Sequence, residues 1–553
     1  MIEKILQEEF LLEEQQVRQV LALIDAGNTI PFIARYRKEQ TGNLDDQTLR
    51  RMAGRLEQLR ALSARREEVT RLIDEQGSLT PQLAAALAGA TTRAELDDLY
   101  RPFRPKRKTR ASVARELGLQ PLADLLLTEP LAEHDLNRLA GRLAQEQDQL
   151  PDVQAAWAGA LDILAEQVSD DVWIRRRLRR LLQADGRLET QARTKESTVY
   201  DPYYAYSEAV RTVTGYRVLA INRGEREQIL SVRITVAPEQ AVAVMTSRLI
   251  SRPSAAEPWL RRVADDAWKR LLQPSLETEV RRDLTEQAEE QAIRVFSANL
   301  RSLLMQPPVR GSRVLGLDPG FRTGCKVAVV DETGRVLDTG VVYPTPPHQQ
   351  RERSEQQITA LIRRHRLDVI AIGNGTASRE TELFVRDMVR KQGLATRWFV
   401  VSEAGASVYS ASERAALEFP DYDVSLRSAI SIARRMQDPL AELVKIEPRS
   451  IGVGQYQHDI QGKKLDAALR GVVEDCVNQV GVDLNTASAA LLSYVAGLSQ
   501  AVAGNIVAWR EQNGPFAARD SLLSVPRLGP MAFQQSAGFL RIPGGAEILD
   551  NTS

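Results

Sequence analysis

The stretch from residue 314 to residue 402 constrains the fold of this chain most, because its apolar residues form short runs bounded by turns. Three successive strands are predicted there, joined by glycine-containing turns: Val314 to Asp318, Lys326 to Val330 and Val336 to Val342. A helix at about 349–366, a strand at 368–373, a second helix at about 377–392 and a strand at 397–402 follow, and a further helix ends the series. This order predicts a mixed α/β domain within an otherwise mainly α-helical chain.

Three strands followed by helix, strand, helix, strand and helix are the layout of a ribonuclease-H-like domain, whose chemistry lies at the strand ends. Asp318 ends the first strand and Glu403 follows the last, so both are candidate catalytic carboxylates. The end of the fourth strand reads Gly373-Asn374 and offers no charge. An Asp-Pro-Gly sequence is also a good turn after a strand, which gives Asp318 a purely structural alternative.

A third acid would be needed for nuclease chemistry, because cleavage by two metal ions requires three or four converging carboxylates. The helix that should carry it offers Ser425, Arg427 and Ser428, with Asp421 and Asp423 just upstream. We therefore expect a degenerate, scaffold-like domain with no metal site and no cofactor. The alternative is a structure-selective nuclease that uses Asp318 and Glu403 with Mg²⁺.

Residues 1 to about 190 read almost entirely as helix, since apolar residues recur every three or four positions. From Tyr216 to Gly224, and again from Ile229 to Ile234, the pattern predicts paired strands across an Arg-Gly-Glu turn. Helix is predicted again from about 238 to 305, before Pro307-Pro308. We expect five segments, with bounds 1–190, 191–310, 311–440, 441–485 and 486–553.

Two cationic runs stand out in a chain whose 73 Lys and Arg equal its 73 Asp and Glu. The segment 101–110 holds six cations, no acid and two prolines, which predicts an exposed, extended arm that contacts phosphates. Its six candidate residues are Arg101, Arg104, Lys106, Arg107, Lys108 and Arg110. The second run, Arg175 to Arg177 with Arg179 and Arg180, lies in a helical pattern and is either a solvated face or a second phosphate contact.

The segment from about residue 485 contains two similar turns between short helices, the pattern of a tandem helix-hairpin-helix module. In such turns, backbone N–H groups at a helix start can hold a phosphate without reading bases. The candidate residues are Gly497, Leu498 and Ser499 in the first turn and Leu528 and Gly529 in the second. A purely structural hairpin is the alternative, because four Arg against two Asp and two Glu leave the module uncharged.

Composition excludes several other classes of protein. The two cysteines, Cys325 and Cys476, cannot form a disulfide framework, and the four histidines are scattered. The acidic amino terminus lacks the layout of a signal peptide, and no apolar run approaches the roughly 18 residues of a membrane span. These features predict a cytoplasmic protein of about four folded units, at roughly 150 residues each.

Six strings of residues make the chain resemble the Tex family, bacterial transcription accessory proteins related to the eukaryotic elongation factor Spt6. They are Thr29–Glu39, Asp98–Thr109, Leu317–Gly324, Ala371–Thr381, Val401–Ser410 and Gly452–Asp459. The resemblance implies a helical amino-terminal region, a YqgF-type ribonuclease-H-like domain, tandem helix-hairpin-helix motifs and a carboxy-terminal S1 domain that binds RNA. No S1 barrel precedes Ser553, and the abrupt end favours a fragment over a family member that lacks this domain.

The preferred hypothesis is a multidomain protein, not an enzyme, that binds RNA or DNA through phosphates and works alongside transcription. Besides the nuclease, a third hypothesis is a protein-interaction scaffold that docks RNA polymerase or an associated factor. In that case the segment 101–110 would face an acidic protein surface.

Overall fold

The computed structural model describes residues 2–105, 107–128, 138, 140–142, 150, 152–250, 254–545 and 547–552. The chain divides into two compact units. One consists of Glu3–Gly54 together with Ala292–Ser553, and the other of Arg55–Gln291. The division into five segments stays a prediction.

The first unit begins with helices α1 (Ile2–Phe10), α2 (Glu14–Asp25), α3 (Ile30–Tyr36) and α4 (Lys38–Thr41), and α5 (Asp46–Asp74) starts in it. Thr29 precedes α3, and Pro31 stands in its first turn, where a missing N–H costs nothing. Phe32 and Ile33 of α3 are buried. The sequence prediction of helix is confirmed here.

The second unit continues with α6 (Pro81–Gly89), α7 (Arg93–Tyr100), α8 (Arg110–Glu116), α9 (Gln120–Thr128), α10 (Val153–Asp170) and α11 (Val172–Asp185). A three-stranded antiparallel sheet of order β2-β1-β3 follows, with β1 at Arg187–Ala192, β2 at Ala205–Ala209 and β3 at Leu230–Thr235. Helix α12 (Gly215–Arg226) lies between β2 and β3 in the chain, and α13 (Pro238–Leu249) and α14 (Glu257–Asp266) follow β3. A π-helical turn at Ala267–Leu272 leads into α15 (Gln273–Leu304).

The predicted strand at 216–224 is wrong, because this segment is helix α12. Four consecutive buried residues, Val218 to Ile221, fit a buried strand as well as a buried helix, so period alone could not separate the two. The Gly224 of the predicted turn lies inside the helix, where a Cβ would approach Leu230 Cδ1 to 2.7 Å. Strand β3 pairs with β1, which pairs on its other side with β2. Sequence reasoning missed β1 and β2, since they alternate polar residues with few apolar ones.

The mixed five-stranded sheet of the first unit has the order β6-β5-β4-β7-β8. Its strands are β4 (Val314–Asp318), β5 (Cys325–Val330), β6 (Val336–Val342), β7 (Val369–Gly373) and β8 (Arg397–Val401). The first three pair antiparallel, and β4, β7 and β8 run parallel. Helices α16 (Arg351–His365) and α17 (Ser378–Lys391) are the predicted crossovers. The ribonuclease-H-like layout is confirmed.

Four helices follow this sheet in sequence: α18 (Ala406–Ser410), α19 (Glu413–Glu418), α20 (Val424–Gln437) and α21 (Pro439–Leu443). Helix α20 packs on β4 and β5. The approach is close because Gly316 has no side chain: a Cβ there would lie 2.3 Å from the Ala429 carbonyl oxygen and 2.9 Å from the Ala433 Cβ. Buried clusters on both faces make this sheet the core of its part of the chain.

The remaining elements are α22 (Gly462–Val480), β9 (Val482–Asp483), α23 (Ala489–Leu492), α24 (Gln500–Asn513), α25 (Pro530–Ser536) and β10 (Leu540–Arg541). Strands β9 and β10 form a short parallel pair. The apolar residues of these elements share one core with the carboxy-terminal part of α15 and with the connector 440–460. None of the helices in the described part of the chain combines the length and the apolar character that crossing a bilayer requires.

Candidate nucleic-acid interface

The carboxylates of Asp318 and Glu403 lie at one edge of the five-stranded sheet, where the parallel strands β4, β7 and β8 end. Glu403 lies against the end of β7: a Cβ on Gly375 would meet Glu403 Oε1, and a Cβ on Gly373 would lie 2.6 Å from Oε2. The Asn374 side chain accepts a hydrogen bond of 3.0 Å from the Glu403 backbone N–H. The uncharged Gly373-Asn374-Gly375 sequence therefore makes the room and the contacts that position Glu403.

Burial raises the pKa of Asp318, opposed by a hydrogen bond from Ser428 and by the charge of Lys326. Burial also raises the pKa of Glu403, and the negative charge of Asp318 adds to the effect. A hydrogen bond from the Gly375 N–H and the buried Arg435 act in the opposite direction. The negative charge of Asp318 thus disfavours ionisation of Glu403, as a neighbouring carboxylate does.

Ser428, on α20, donates a hydrogen bond to Asp318. It is one of the three residues that the sequence offers on the helix expected to carry the third acid of a nuclease. Asp423 is the N-cap of α20 and accepts a hydrogen bond of 2.8 Å from the Leu426 N–H. Among the residues that the structure describes, no group of three or more His, Cys, Asp or Glu side chains could hold a metal ion. A pair of carboxylates does not fit the two-ion chemistry of a nuclease.

The two turns of the hairpin module share one geometry. In the first, the Leu498 N–H donates to the Val495 carbonyl at 3.0 Å, and in the second the Leu528 N–H donates to Val525 at 3.2 Å. The third residue of each turn has a left-handed backbone, with φ of +79° at Gly497 and +66° at Arg527. Only the first turn has the glycine that this conformation favours.

Helix α24 begins directly after the first turn. Ser499 is its N-cap, and its hydroxyl accepts a hydrogen bond of 3.3 Å from the Val502 N–H. Gly529 is the N-cap of α25, with Pro530 in the first turn of that helix and open space where a Cβ would stand. Ser499 and Gly529 are exposed, whereas the side chains of Leu498 and Leu528 are buried. Of these predicted residues, both leucines can therefore meet a ligand only through their backbone.

Gly497 packs against the second hairpin, since a Cβ there would lie 2.7 Å from the Gln535 Cβ. The Gln535 amide is held in turn by the amino-terminal helices: it donates to the Gly27 carbonyl at 3.3 Å and accepts from the Thr29 N–H at 3.2 Å. The Tyr36 ring packs on the Phe539 ring with 5.3 Å between centroids. The segment 29–37 is thus a support for the hairpin module.

The arginines of the module are mostly committed to backbone oxygens. Arg510 donates to the carbonyls of Leu484 and Ala487, and Arg519 donates to that of Leu540. Arg541 donates to the Gly481 carbonyl at 3.4 Å. Arg527 differs, because it is exposed within the second turn. Sequence reasoning did not select Arg527, although its position matches that of Gly497 in the first turn.

The basic segment 101–110 is a short loop fixed at both ends on α10, so the predicted extended arm is wrong in part. Arg101–Phe103 form a 3-10 turn, and Arg101 pairs with Asp170 at 3.0 Å. At the other end, the Thr109 hydroxyl donates to Glu166 at 3.0 Å and caps α8. Arg101 is therefore a half-buried structural residue and no longer a candidate phosphate ligand.

The other described cations of this segment are exposed. Arg104 lies over the Tyr100 ring at 5.8 Å, and Lys108 is 73% exposed with Glu116 3.9 Å away. Arg107 and Arg110 are exposed as well. Lys106 lies outside the described residues. The predicted cationic surface is thus carried by four described residues, Arg104, Arg107, Lys108 and Arg110.

The second cationic run does not act as a unit, which corrects both sequence interpretations. Arg175 and Arg179 are buried between α7 and α15. Arg175 binds Asp98 at 2.6 Å, and Arg179 binds both Asp98 and Glu279 at 2.7 Å. Arg176, Arg177 and Arg180 are exposed. Contacts from residues about 80 and 100 positions away decide which arginines are buried, and no local pattern reveals them.

The chain thus combines a ribonuclease-H-like sheet that carries two acids with tandem helix-hairpin-helix turns. This combination places it among multidomain proteins with a YqgF-like domain and a helix-hairpin-helix motif. The model of the Tex protein YqgF-like domain matches residues 312–437, and that of a helix-hairpin-helix motif matches residues 477–541. A Tex-like amino-terminal domain matches residues 1–74, and a Tex central region matches residues 132–296.

Relatives match over nearly the full chain. "Protein tex" of Bordetella pertussis is 48% identical over 97% of this chain and 70% of its own length. "Transcriptional accessory protein Tex" of Neisseria gonorrhoeae is 47% identical over 99% of this chain and 73% of its own length. The human "S1 RNA-binding domain-containing protein 1" is 39% identical over 98% of this chain and 56% of its own length. The chain belongs to the Tex family.

Proposed function

We propose that this chain is a transcription accessory protein that binds RNA or DNA through phosphates, without strong sequence preference. The observation that carries the proposal is the pair of equivalent turns that end at Ser499 and Gly529. Both turns lead into a helix start, where N–H groups without an intrahelical partner and the positive end of the helix dipole favour an anion. The Ser499 hydroxyl takes one such donor in α24, and Pro530 removes one from α25. Backbone donors of this kind bind phosphate and read no base.

The loop between Arg101 and Thr109 supports the proposal independently. Because it is tied to Asp170 and Glu166, its exposed cations lose little conformational freedom when they meet a phosphate. Cations on such a surface gain from a polyanion through the release of counterions. Their contribution should fall steeply with salt concentration.

The carboxylate pair favours a protein that binds nucleic acid without cleaving it. Burial and the charge of Asp318 raise the pKa of Glu403, and the side chain that hydrogen-bonds to Asp318 is the neutral Ser428. Cleavage of branched or single-stranded substrates in Mg²⁺ or Mn²⁺ that is lost in Asp318→Asn would contradict this and restore the nuclease alternative.

The hairpin contact is tested with Ser499→Asp and Ser499→Asn in fluorescence anisotropy titrations of labelled RNA and DNA. Both replacements are good N-caps, so the helix start should be retained in each. The added carboxylate should weaken binding by about tenfold, because it repels the phosphate at short range. Equal affinities of the two variants would contradict a phosphate at this turn.

The loop contact is tested by replacing Arg104, Arg107 and Lys108 with Ala and repeating the titration at several salt concentrations. Each lost phosphate contact should lower the salt slope by roughly 0.9 for duplex DNA. An unchanged affinity and slope would show that this loop contacts no phosphate. If no nucleic acid binds but an RNA polymerase component does, the scaffold hypothesis replaces the proposal.

A further inference from the structure

A cavity of about 590 Å³ lies in the first unit, beside the first hairpin turn. Its walls come from the starts of α19 and α24, the connector 444–450, and parts of α22 and α23. Tyr494 and Gln500, which line it, are the residues immediately before and after the turn 495–499. A ligand group held at the turn would therefore lie next to the cavity.

Three arginines line this cavity, and two of them are only loosely paired. Arg449 lies 3.8 Å from Asp466, and Arg470 lies 3.7 Å from Glu474, distances longer than a hydrogen bond. Arg414 donates one N–H to the Lys445 carbonyl at 3.1 Å. A guanidinium held this loosely can reorient toward a ligand at little cost.

An aromatic ring also lines the cavity, beside Arg470. The Arg470 guanidinium lies 5.8 Å from the centre of the Tyr494 ring, and Tyr494 is half-buried in the cavity wall. Arginine planes and aromatic rings are the groups on which proteins stack unpaired bases. The volume is in the range of small-molecule sites and suits one nucleotide.

Acidic residues set a limit on what the cavity can hold. Glu413, Glu447 and Asp466 also line it, and they would repel a run of phosphates. Carboxylates accept hydrogen bonds from the amino groups of bases. The mixed lining therefore fits one base with its adjoining phosphate better than a polyanionic backbone.

We propose that this cavity receives one unpaired nucleotide of a strand whose phosphate is held at the first hairpin turn, which rests on the function proposed above. Duplex nucleic acid keeps its bases stacked and cannot fill the cavity. The chain should therefore gain affinity for single strands through Arg414, Arg470 and Tyr494.

The test compares a single strand of about 12 nucleotides with the blunt duplex of the same length, bound to the whole chain. Arg414→Ala, Arg470→Ala and Tyr494→Ala should each weaken single-strand binding by roughly fivefold or more, and duplex binding by less than about twofold. The control is Arg390→Ala, an exposed arginine on α17 that does not line the cavity. Arg414 and Arg470 are exposed, so their variants keep the test valid if Tyr494→Ala does not fold.

Equal losses on both ligands, or none, would overturn the cavity assignment while leaving the proposed function in place. Failure of the unaltered chain to bind either ligand would overturn the proposed function itself. Free mononucleotide monophosphates form the other arm. If they bind tightly and Arg470→Ala abolishes that binding, the occupant is a free nucleotide and the assignment to a strand is overturned.

Discussion

At the scale of single residues, the carboxylate pair shows what position in sequence can and cannot reveal. Asp318 and Glu403 follow buried strands, so sequence could predict that they lie at one sheet edge. It could not predict that the missing side chain of Gly375 leaves room for Glu403, because Gly375 follows β7 and Glu403 follows β8. Burial raises the pKa of both acids, and the charge of Asp318 raises that of Glu403 further.

Replacing Asp318 with Asn should stabilise the chain at neutral pH. A carboxyl whose pKa is raised by folding binds its proton more tightly in the folded state, so stability falls as pH rises from the ordinary value of 3.8 through the folded pKa. Asn removes this penalty and can still accept the Ser428 hydrogen bond. The rise in the thermal midpoint should be largest at neutral pH and vanish below pH 3.8, as followed by calorimetry.

The exposed Asp421 provides the control, since Asp421→Asn should leave the midpoint unchanged at either pH. A gain of equal size at low and neutral pH would mean that ionisation of Asp318 is not its cause.

At the scale of elements, the sheet and its helices were predictable, whereas their close contacts were not. Val369–Gly373, a fully buried run between two helical patterns, is typical of a parallel strand. Val218 to Ile221 is an equally apolar run that belongs to a helix, since neighbouring elements bury it on every side. Local periodicity fails at such fully buried segments.

Two glycines of the same sheet should respond to Ala in opposite directions. Gly316→Ala places a methyl 2.3 Å from the Ala429 carbonyl and should cost about 1–3 kcal/mol, because helix α20 must shift. Gly340→Ala, in β6, meets nothing within 4 Å and should stabilise by about 0.5–1 kcal/mol. Urea unfolding gives the two free energies, and hydrogen exchange of the β4 amides locates the effect.

A loss of stability in both variants would show that the strand backbone, rather than the contact with α20, is sensitive to the added methyl group.

At the scale of the whole molecule, the equality of 73 cations and 73 anions conceals two different arrangements. Arg104, Arg107 and Lys108 are exposed, whereas Arg175 and Arg179 are neutralised by Asp98 and Glu279. In the sequence, both runs are simply clusters of Lys and Arg. Only the fold, which brings α7, α11 and α15 together, distinguishes exposed cations from a buried network of ion pairs.

Arg175→Met should destabilise the chain by about 3–5 kcal/mol, because it leaves Asp98 and Glu279 with a single buried cation. Arg177→Met, on the exposed face of the same helix, should change stability by no more than about 0.5 kcal/mol. Thermal unfolding measures both. A stable Arg175→Met variant with reduced nucleic-acid affinity would instead restore Arg175 as a phosphate contact.

The left-handed backbone of Arg527 places stability and binding in opposition. A residue other than glycine pays roughly 1–2 kcal/mol for this conformation, so Arg527→Gly should relieve strain in the second turn. The same change removes an exposed cation from the proposed phosphate site. Selection of this chain for heat resistance alone should therefore enrich Arg527→Gly, and the more durable protein would hold nucleic acid less tightly.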